Sequence, residues 1–483
     1  MCVLRKLIDK YKNIPLPARA SFWFLICGIL QNGLQVITLP IFTRLLTIEQ
    51  YGLSSTYFAW NDLVVVICTL RLSYGVFSNG LLKYEDKKDY FEAAIMGLTT
   101  TVSAIMLILF LIFHQAVQSL FDMSFILCFT LFACQICSPA MLFWTVRNKF
   151  EYQYQKFTIV TIVLSVGTTL LNLVAVLYFD YDHGIVKILS YQIVWTAIYL
   201  VFYIRIFYHG KTFYDGEIWK YALKFNLPLI PYFLSTIVLD KADRIMIGEF
   251  CGQEMVALYS VSYNLGRLMV LLTSAVDNTF TPWAYQKMKE KNYGNIKNVS
   301  LTIMIGFLGA ATCFMLFAPE LIMIFADSKY SIAVYVIPPV VGSYFFTMLY
   351  NLVSKVEFYL EKTKMVAIIT VSAAVLNIVL NYIAIPRFGY VSAGYTTLIS
   401  NIVMAIFHMI YSRYLSRNVM RYVKTFYWKH LLGLSAGMIV ITVLVSLFYD
   451  KLLFRYCIIF TGFIIIIMNR QKFVIMFRMM KDK

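Results

Sequence analysis

The stretch VVVICTLRLSYGVF, Val64–Phe77, puts Arg71 inside an apolar run that must cross a lipid bilayer. A second run, Val256–Val276, is interrupted in the same way by Arg267. A guanidinium keeps its charge at any physiological pH. Holding one at membrane depth costs at least a few kcal/mol. A chain retains such a group where it meets water, a counter-charge or an anionic ligand. Two of them make this chain a candidate carrier of something negatively charged.

Composition identifies the solvent. Of 483 residues, 60% are hydrophobic, 17% aromatic and only 14% charged, whereas a soluble protein carries about a quarter charged residues. The expected fold class is an all-α polytopic membrane protein. A membrane helix needs about 20 apolar residues. About 14 spans can be placed, at 21–43, 54–77, 93–113, 120–143, 157–178, 187–207, 225–247, 255–278, 300–325, 331–353, 365–385, 390–412, 430–448 and 452–469.

The formal charge of +17 is spread among loops. No recognition helix, zinc-finger spacing or basic-aromatic platform accompanies it, so nucleic acid is not an expected partner. Alternate loops and both termini hold about 32 of the 42 lysines and arginines, and the opposite loops about eight. Basic residues stay on the cytoplasmic side, so both termini are expected there, with some attraction to anionic lipid. The first apolar run lacks a small-residue cleavage site and reads as an uncleaved span.

No catalytic or metal constellation emerges, and neither enzyme activity nor a cofactor is expected. The five histidines, His114, His183, His209, His408 and His430, are dispersed. Cys134 and Cys137 form a C-x-x-C without a second pair, inside an apolar span, where cysteine behaves as a small apolar residue. Walker, G-x-S-x-G and H-E-x-x-H patterns are absent, so direct use of ATP is not expected. The outward loops are short, which argues against a membrane polymerase or ligase.

A spaced pattern recurs. Glu151, Asn172 and Gly184 are separated by 21 and 12 residues; Glu357, Asn377 and Gly389 are separated by 20 and 12. This relates spans five and six to spans eleven and twelve. It predicts two six-helix lobes, 1–215 and 216–425, around a central cavity. Residues 426–483 would add two helices and a basic cytoplasmic tail. Halves that enter from the same side are related by an axis along the membrane normal, and access to the substrate alternates.

Polar groups at membrane depth then become candidates. Gln31, Asn32 and Gln35 lie in the first span and either bond neighbouring helices or line the cavity. Asp62 would pair with a cation or bind a coupling ion, H+ or Na+. Asp240, Asp243 and Arg244 crowd span seven as a gate or a structural cluster, with Asp240 and Arg244 spaced to neutralise each other. Arg71, Arg267 and, at the end of span one, Arg44 are the candidate anion contacts. Guanidinium suits the paired oxygens of a diphosphate. Separations of nine and ten residues argue against close pairing of Arg71 with Asp62 or of Arg267 with Asp277 on one helix.

The stretch Asp240–Gly294, with Asp243-Arg244-Ile245-Met246-Ile247-Gly248 and Pro282-Trp283, resembles the polysaccharide-export, or oligosaccharide flippase (Wzx-type), family. LPIFTRLLTIEQYG (Leu39–Gly52) and EYQYQKF (Glu151–Phe157) resemble it too. The family belongs to the superfamily of multidrug extruders and the lipid II flippase. The resemblance implies two six-helix lobes around a cavity. It also implies movement of undecaprenyl-diphosphate-linked sugar units from the cytoplasmic to the outer leaflet of a bacterial cytoplasmic membrane. Membrane lipids, a polysaccharide polymerase and glycosyltransferases are the implied partners. Gly266-Arg267-Leu268-Met269 and Arg71 resemble cavity arginines of the lipid II flippase. Additional first-span arginines of that protein have no counterpart before Arg44, which points to a different headgroup. The alternative is a multidrug/cation antiporter of the same superfamily, which calls for a cavity governed by carboxylates.

The orientation has a direct test. On a cysteine-free background, a cysteine at Lys87 or Lys211 is expected to resist an impermeant maleimide in intact cells. One at Asp180 or Lys329 is expected to react. The opposite labelling would invert the topology.

Overall fold

Among the described residues the long apolar runs are mostly helical, a structure that satisfies its own backbone hydrogen bonds in lipid. The computed structural model describes residues 15–420, 423–449, 451–453 and 455–458, with the side chains of Ala18 and Asn32 left aside. No strand occurs among the described residues.

The chain forms two compact units, Met1–Ile237 and Val238–Lys483. The first holds α1 (Leu16–Leu45), α2 (Ile48–Thr69), α3 (Val76–Lys83), α4 (Lys88–Ile112), α5 (His114–Phe121), α6 (Phe125–Ala133), α7 (Pro139–Phe150), α8 (Tyr154–Tyr178), α9 (His183–Gly210) and α10 (Gly216–Asn226). Next comes α11 (Ile230–Cys251), and the second unit goes on with α12 (Gln253–Gly266), α13 (Met269–Lys289), α14 (Tyr293–Leu316), α15 (Ala318–Phe325), α16 (Ile337–Tyr359), α17 (Thr363–Phe388), α18 (Val391–Asn418) and α19 (Trp428–Leu447).

Twelve helical stretches among the described residues are long and apolar enough to cross a membrane. They coincide with the first expected span and with the third to the thirteenth. This is a multi-pass membrane protein. The expected total of about 14 goes beyond these twelve. The span expected at 452–469 falls largely outside the described residues, as do most of the basic residues of the two termini.

The second expected span needs correction. It is not one helix over 54–77: α2 starts at Ile48, stops at Thr69, and the chain resumes as α3 at Val76. The apolar pattern runs straight through the interruption, so hydropathy alone does not reveal it.

In the first unit, Phe77, Phe91 and Phe143 are fully buried against one another behind the break. Phe77 lies 4.6 Å from Phe143 and 5.9 Å from Phe91, centroid to centroid. In the second unit α16 is the central helix, buried at most positions between Ile337 and Glu357 and packed mainly on α18.

The repeated asparagines do the same work in both units. Asn172 donates to the Lys187 carbonyl and to Ser190 Oγ, both at 2.7 Å, tying α8 to α9. Asn377 donates to Thr397 Oγ1 at 3.4 Å, tying α17 to α18. Interhelical amide bonds of this kind are worth roughly 1 kcal/mol in lipid.

The turn after α9 relies on a small residue. A Cβ on Gly97 would lie 1.8 Å from the Phe213 carbonyl oxygen. Gly97→Val is therefore expected to cost about 1–3 kcal/mol or more through overpacking. Gly167, with nothing within 4 Å of an added Cβ, should accept alanine with no loss. Unfolding of the two variants in mixed micelles measures the contrast.

Candidate functional site

The first unit builds its candidate site where α2 is cut short. Thr47 and Gln50 form a reciprocal capping box at the helix start. At the other end, Leu70 and Arg71 both adopt φ of 49°, and Gly75 follows at 70°. Two adjacent non-glycine residues in the left-handed region cost about 1–2 kcal/mol each. Something must hold them. Asn226, fully buried at the end of α10, donates its amide to the Leu70 carbonyl at 2.8 Å and the Arg71 carbonyl at 2.9 Å. One side chain thus satisfies two carbonyls exposed by the interruption. The Arg71 N–H donates to Thr69 Oγ1 at 3.3 Å.

The break changes what Arg71 can reach. Its Nε is buried with no hydrogen-bond partner, and Asp62 is near enough to act on its charge. Nearby, Gln192 donates to Tyr57 OH at 2.8 Å, and Gln135 donates to Asn61 Oδ1 at 3.1 Å.

The second unit interrupts its corresponding span more gently. Between α12 and α13, Leu268 N–H bonds the Leu265 carbonyl at 3.0 Å and Val270 N–H bonds the Arg267 carbonyl at 2.8 Å. These three-residue steps tighten the turn without positive φ. Arg267 therefore sits at a joint, as Arg71 does. Its Nη2 lies 3.9 Å from Asp240 Oδ2, with the two side chains 37% and 30% exposed.

Asp240 is shared. It also lies 3.3 Å from Lys241 Nζ and accepts a hydrogen bond from Tyr263 OH at 2.8 Å. Arg244 does not pair with the Asp240 carboxylate, as its spacing suggested. Its Nη1 donates to the Asp240 carbonyl at 2.9 Å, and its guanidinium lies over the Tyr263 ring at 4.4 Å. Lys241, Arg244 and Arg267 all act on the one carboxylate of Asp240. Arg244 also acts on Asp243, so three cations face two carboxylates and the balance is positive.

Asp243 faces the other way and is fully buried. It accepts from Asn381 at 2.6 Å, from Thr397 at 2.7 Å and from Tyr259. Asn381 is also bonded by Thr396 and donates to Asn377 at 3.2 Å. This network locks α11 to α12, α17 and α18. Asp277 does not meet Arg267; it holds Lys355 at 2.6 Å.

The remaining candidates lie on α1. Gln31, Gln35 and Arg44 are exposed, and the Asn32 side chain lies outside the described part. Arg44 occupies the last turn of α1, where a cation complements the helix dipole. The sequence reading missed Asn226, Tyr259, Tyr263, Asn381 and Thr397. Each is polar within an apolar span, but its partner lies far away in the chain.

Fold and site together define a multi-pass helical membrane protein with guanidinium groups placed at interrupted spans. The chain belongs to the polysaccharide biosynthesis protein family, whose model matches residues 18–288, as its motifs implied. A MatE family model matches residues 228–383. A probable low-salt glycan biosynthesis flippase, Agl15 of Haloferax volcanii, is 27% identical over 173 residues, 35% of this chain and 37% of that relative. The match thus spans little more than a third of the relative. The fold is shared with the lipid II flippase MurJ in an inward closed conformation, at a TM-score of 0.63 and 16% identity over 92% of this chain and 99% of that one. An inward-facing multidrug resistance MATE family transporter of the MOP superfamily gives 0.57 and 16% identity, over 82% and 94%.

Asn226→Leu is expected to strip both carbonyls of their donor. At about 1–3 kcal/mol per unsatisfied buried group, the loss should exceed that of an Asn172→Leu control in the same unfolding assay.

Proposed function

We propose that the protein is a transporter, not an enzyme. It moves undecaprenyl-diphosphate-linked oligosaccharide units from the cytoplasmic to the outer leaflet by alternating access, for cell-surface polysaccharide assembly. The observation that carries this reading is the arginine at the interruption of the second span in each unit. Arg71 and Arg267 are the groups assigned to the diphosphate, and Arg44 is a further anion contact. Gln31, Asn32 and Gln35 are assigned to the glycan.

The comparisons support a lipid-linked glycan as the cargo class. One relative is named as a glycan biosynthesis flippase and one structural neighbour as a lipid II flippase. The locally positive surroundings of Asp240 favour an anion over the drug cations of a multidrug antiporter. The chain is assigned to a bacterial cytoplasmic membrane with both termini inside. There the potential favours moving an anion outward by about 2.3 kcal/mol per charge per 100 mV. A counter-transported proton or sodium ion adds to this drive, with Asp62 as the carboxylate assigned to it. A polymerase and glycosyltransferases supply the neighbouring steps.

Reconstituted protein tests the assignment. Arg71→Ala and Arg267→Ala should each slow flipping of a fluorescent undecaprenyl-diphosphate sugar by about 10–100-fold, the worth of one charged hydrogen bond. Lysine at either position should restore part of the rate. Unchanged flipping by both folded alanine variants would remove these arginines from the site.

A further inference from the structure

Glu357 on α16 and His408 on α18 are both completely buried. His408 Nδ1 lies 2.9 and 3.1 Å from the two carboxylate oxygens. The Tyr350 ring stacks on the imidazole at 5.4 Å. On its far side the imidazole is unsupplied: Nε2 has no hydrogen-bond partner, and neither does the buried hydroxyl of Ser412, one turn along α18.

The surroundings bring no compensating charge. His408 is the one basic group acting on Glu357 among the described residues. Tyr411 is the other titratable group in reach of it. Lys355, two residues away on α16, is taken by Asp277 of α13. Tyr350 and Tyr411 pack on Leu239 of α11 and on Ile369 and Ala373 of α17, which are apolar.

A dry site of this kind disfavours net charge. Ionised Glu357 beside neutral His408 would leave one bare negative charge. One additional proton, on either partner, makes the pair neutral overall.

The internal repeat sharpens the point. Glu151 is the counterpart of Glu357 in the first unit, and it bonds Arg147 Nε at 3.2 Å. Arg147 also holds Asp89 and Glu92. An arginine never gives up its proton, whereas histidine does so near neutrality. The same repeated carboxylate thus has a permanent partner in one unit and a titratable partner in the other.

We propose that Glu357 and His408 form the proton-binding site that couples the transport cycle to the proton gradient. This rests on the transport reading above and adds a site that Asp62 does not supply. The step balances simply. The pair Glu357 carboxylate and His408 imidazolium releases one proton to water and becomes carboxylate and neutral imidazole. Release follows when α16 and α18 admit water, and rebinding follows when they close.

The test uses the full-length protein in nanodiscs, with one spin label in each unit and distance distributions recorded at about pH 6 and about pH 8. Wild type should shift its populations between the two by on the order of tenfold. Glu357→Gln and His408→Asn should each abolish the shift, whereas Glu151→Gln should leave it in place. If Glu357→Gln does not fold, His408→Asn reads the same proton. A static wild type, or a folded variant that shifts like wild type, overturns the proposal. Flipping of undecaprenyl-diphosphate N-acetylglucosamine is measured on the same preparations. Flipping beside a static, pH-blind distribution defeats the proton site and spares the flippase. A shift that depends on the pair without any flipping does the reverse.

Discussion

Lipid gives a bare carbonyl nothing to bond and a guanidinium nothing to share its charge with. Both needs arise at one point in the first unit. The helix ending at Thr69 exposes the Leu70 and Arg71 carbonyls, and Asn226 answers them from 156 and 155 residues further on. The interruption lets an arginine leave the helix at membrane depth without an unpaired backbone beneath it.

The second unit reaches a similar end by different means. Its joint at Arg267 and Leu268 keeps helical φ and tightens the hydrogen bonds instead. The cation count is handled locally, with Asp240 shared among Lys241, Arg244 and Arg267, while Asp243 is spent on the buried bonds that fix α11. One aspartate thus moderates charge and its near neighbour holds the helices together. A site tuned for cations would reverse that balance, with more carboxylates than bases. This is why the anion reading is preferred to the multidrug one.

Much of this was legible in the chain. Apolar runs of membrane length dictate helices, because that signal is local. The Glu–Asn–Gly spacing foretold that Asn172 and Asn377 would occupy matching places. Helix interruptions were not legible. Leu70 and Arg71 carry no proline or glycine signal, and Gly75 comes only at the end of the break. Its cause, Asn226, is a tertiary partner that no window of hydropathy contains. The same holds for His408, which looked like one of five scattered histidines until α18 laid it against Glu357. Arg244 acts on the Asp240 charge, as its spacing suggested, but its hydrogen bond goes to the Asp240 carbonyl.

Retention of lipids by the purified protein under native mass spectrometry bears most directly on the idea that guanidinium at the breaks selects an anionic cargo. The protein is offered undecaprenyl diphosphate, undecaprenol and a lipophilic drug cation at equal concentration. The diphosphate should be retained preferentially, and its retention should fall in the double variant Arg71→Ala, Arg267→Ala. Preferential retention of the drug cation, or equal retention of the diphosphate and the neutral alcohol, would contradict it.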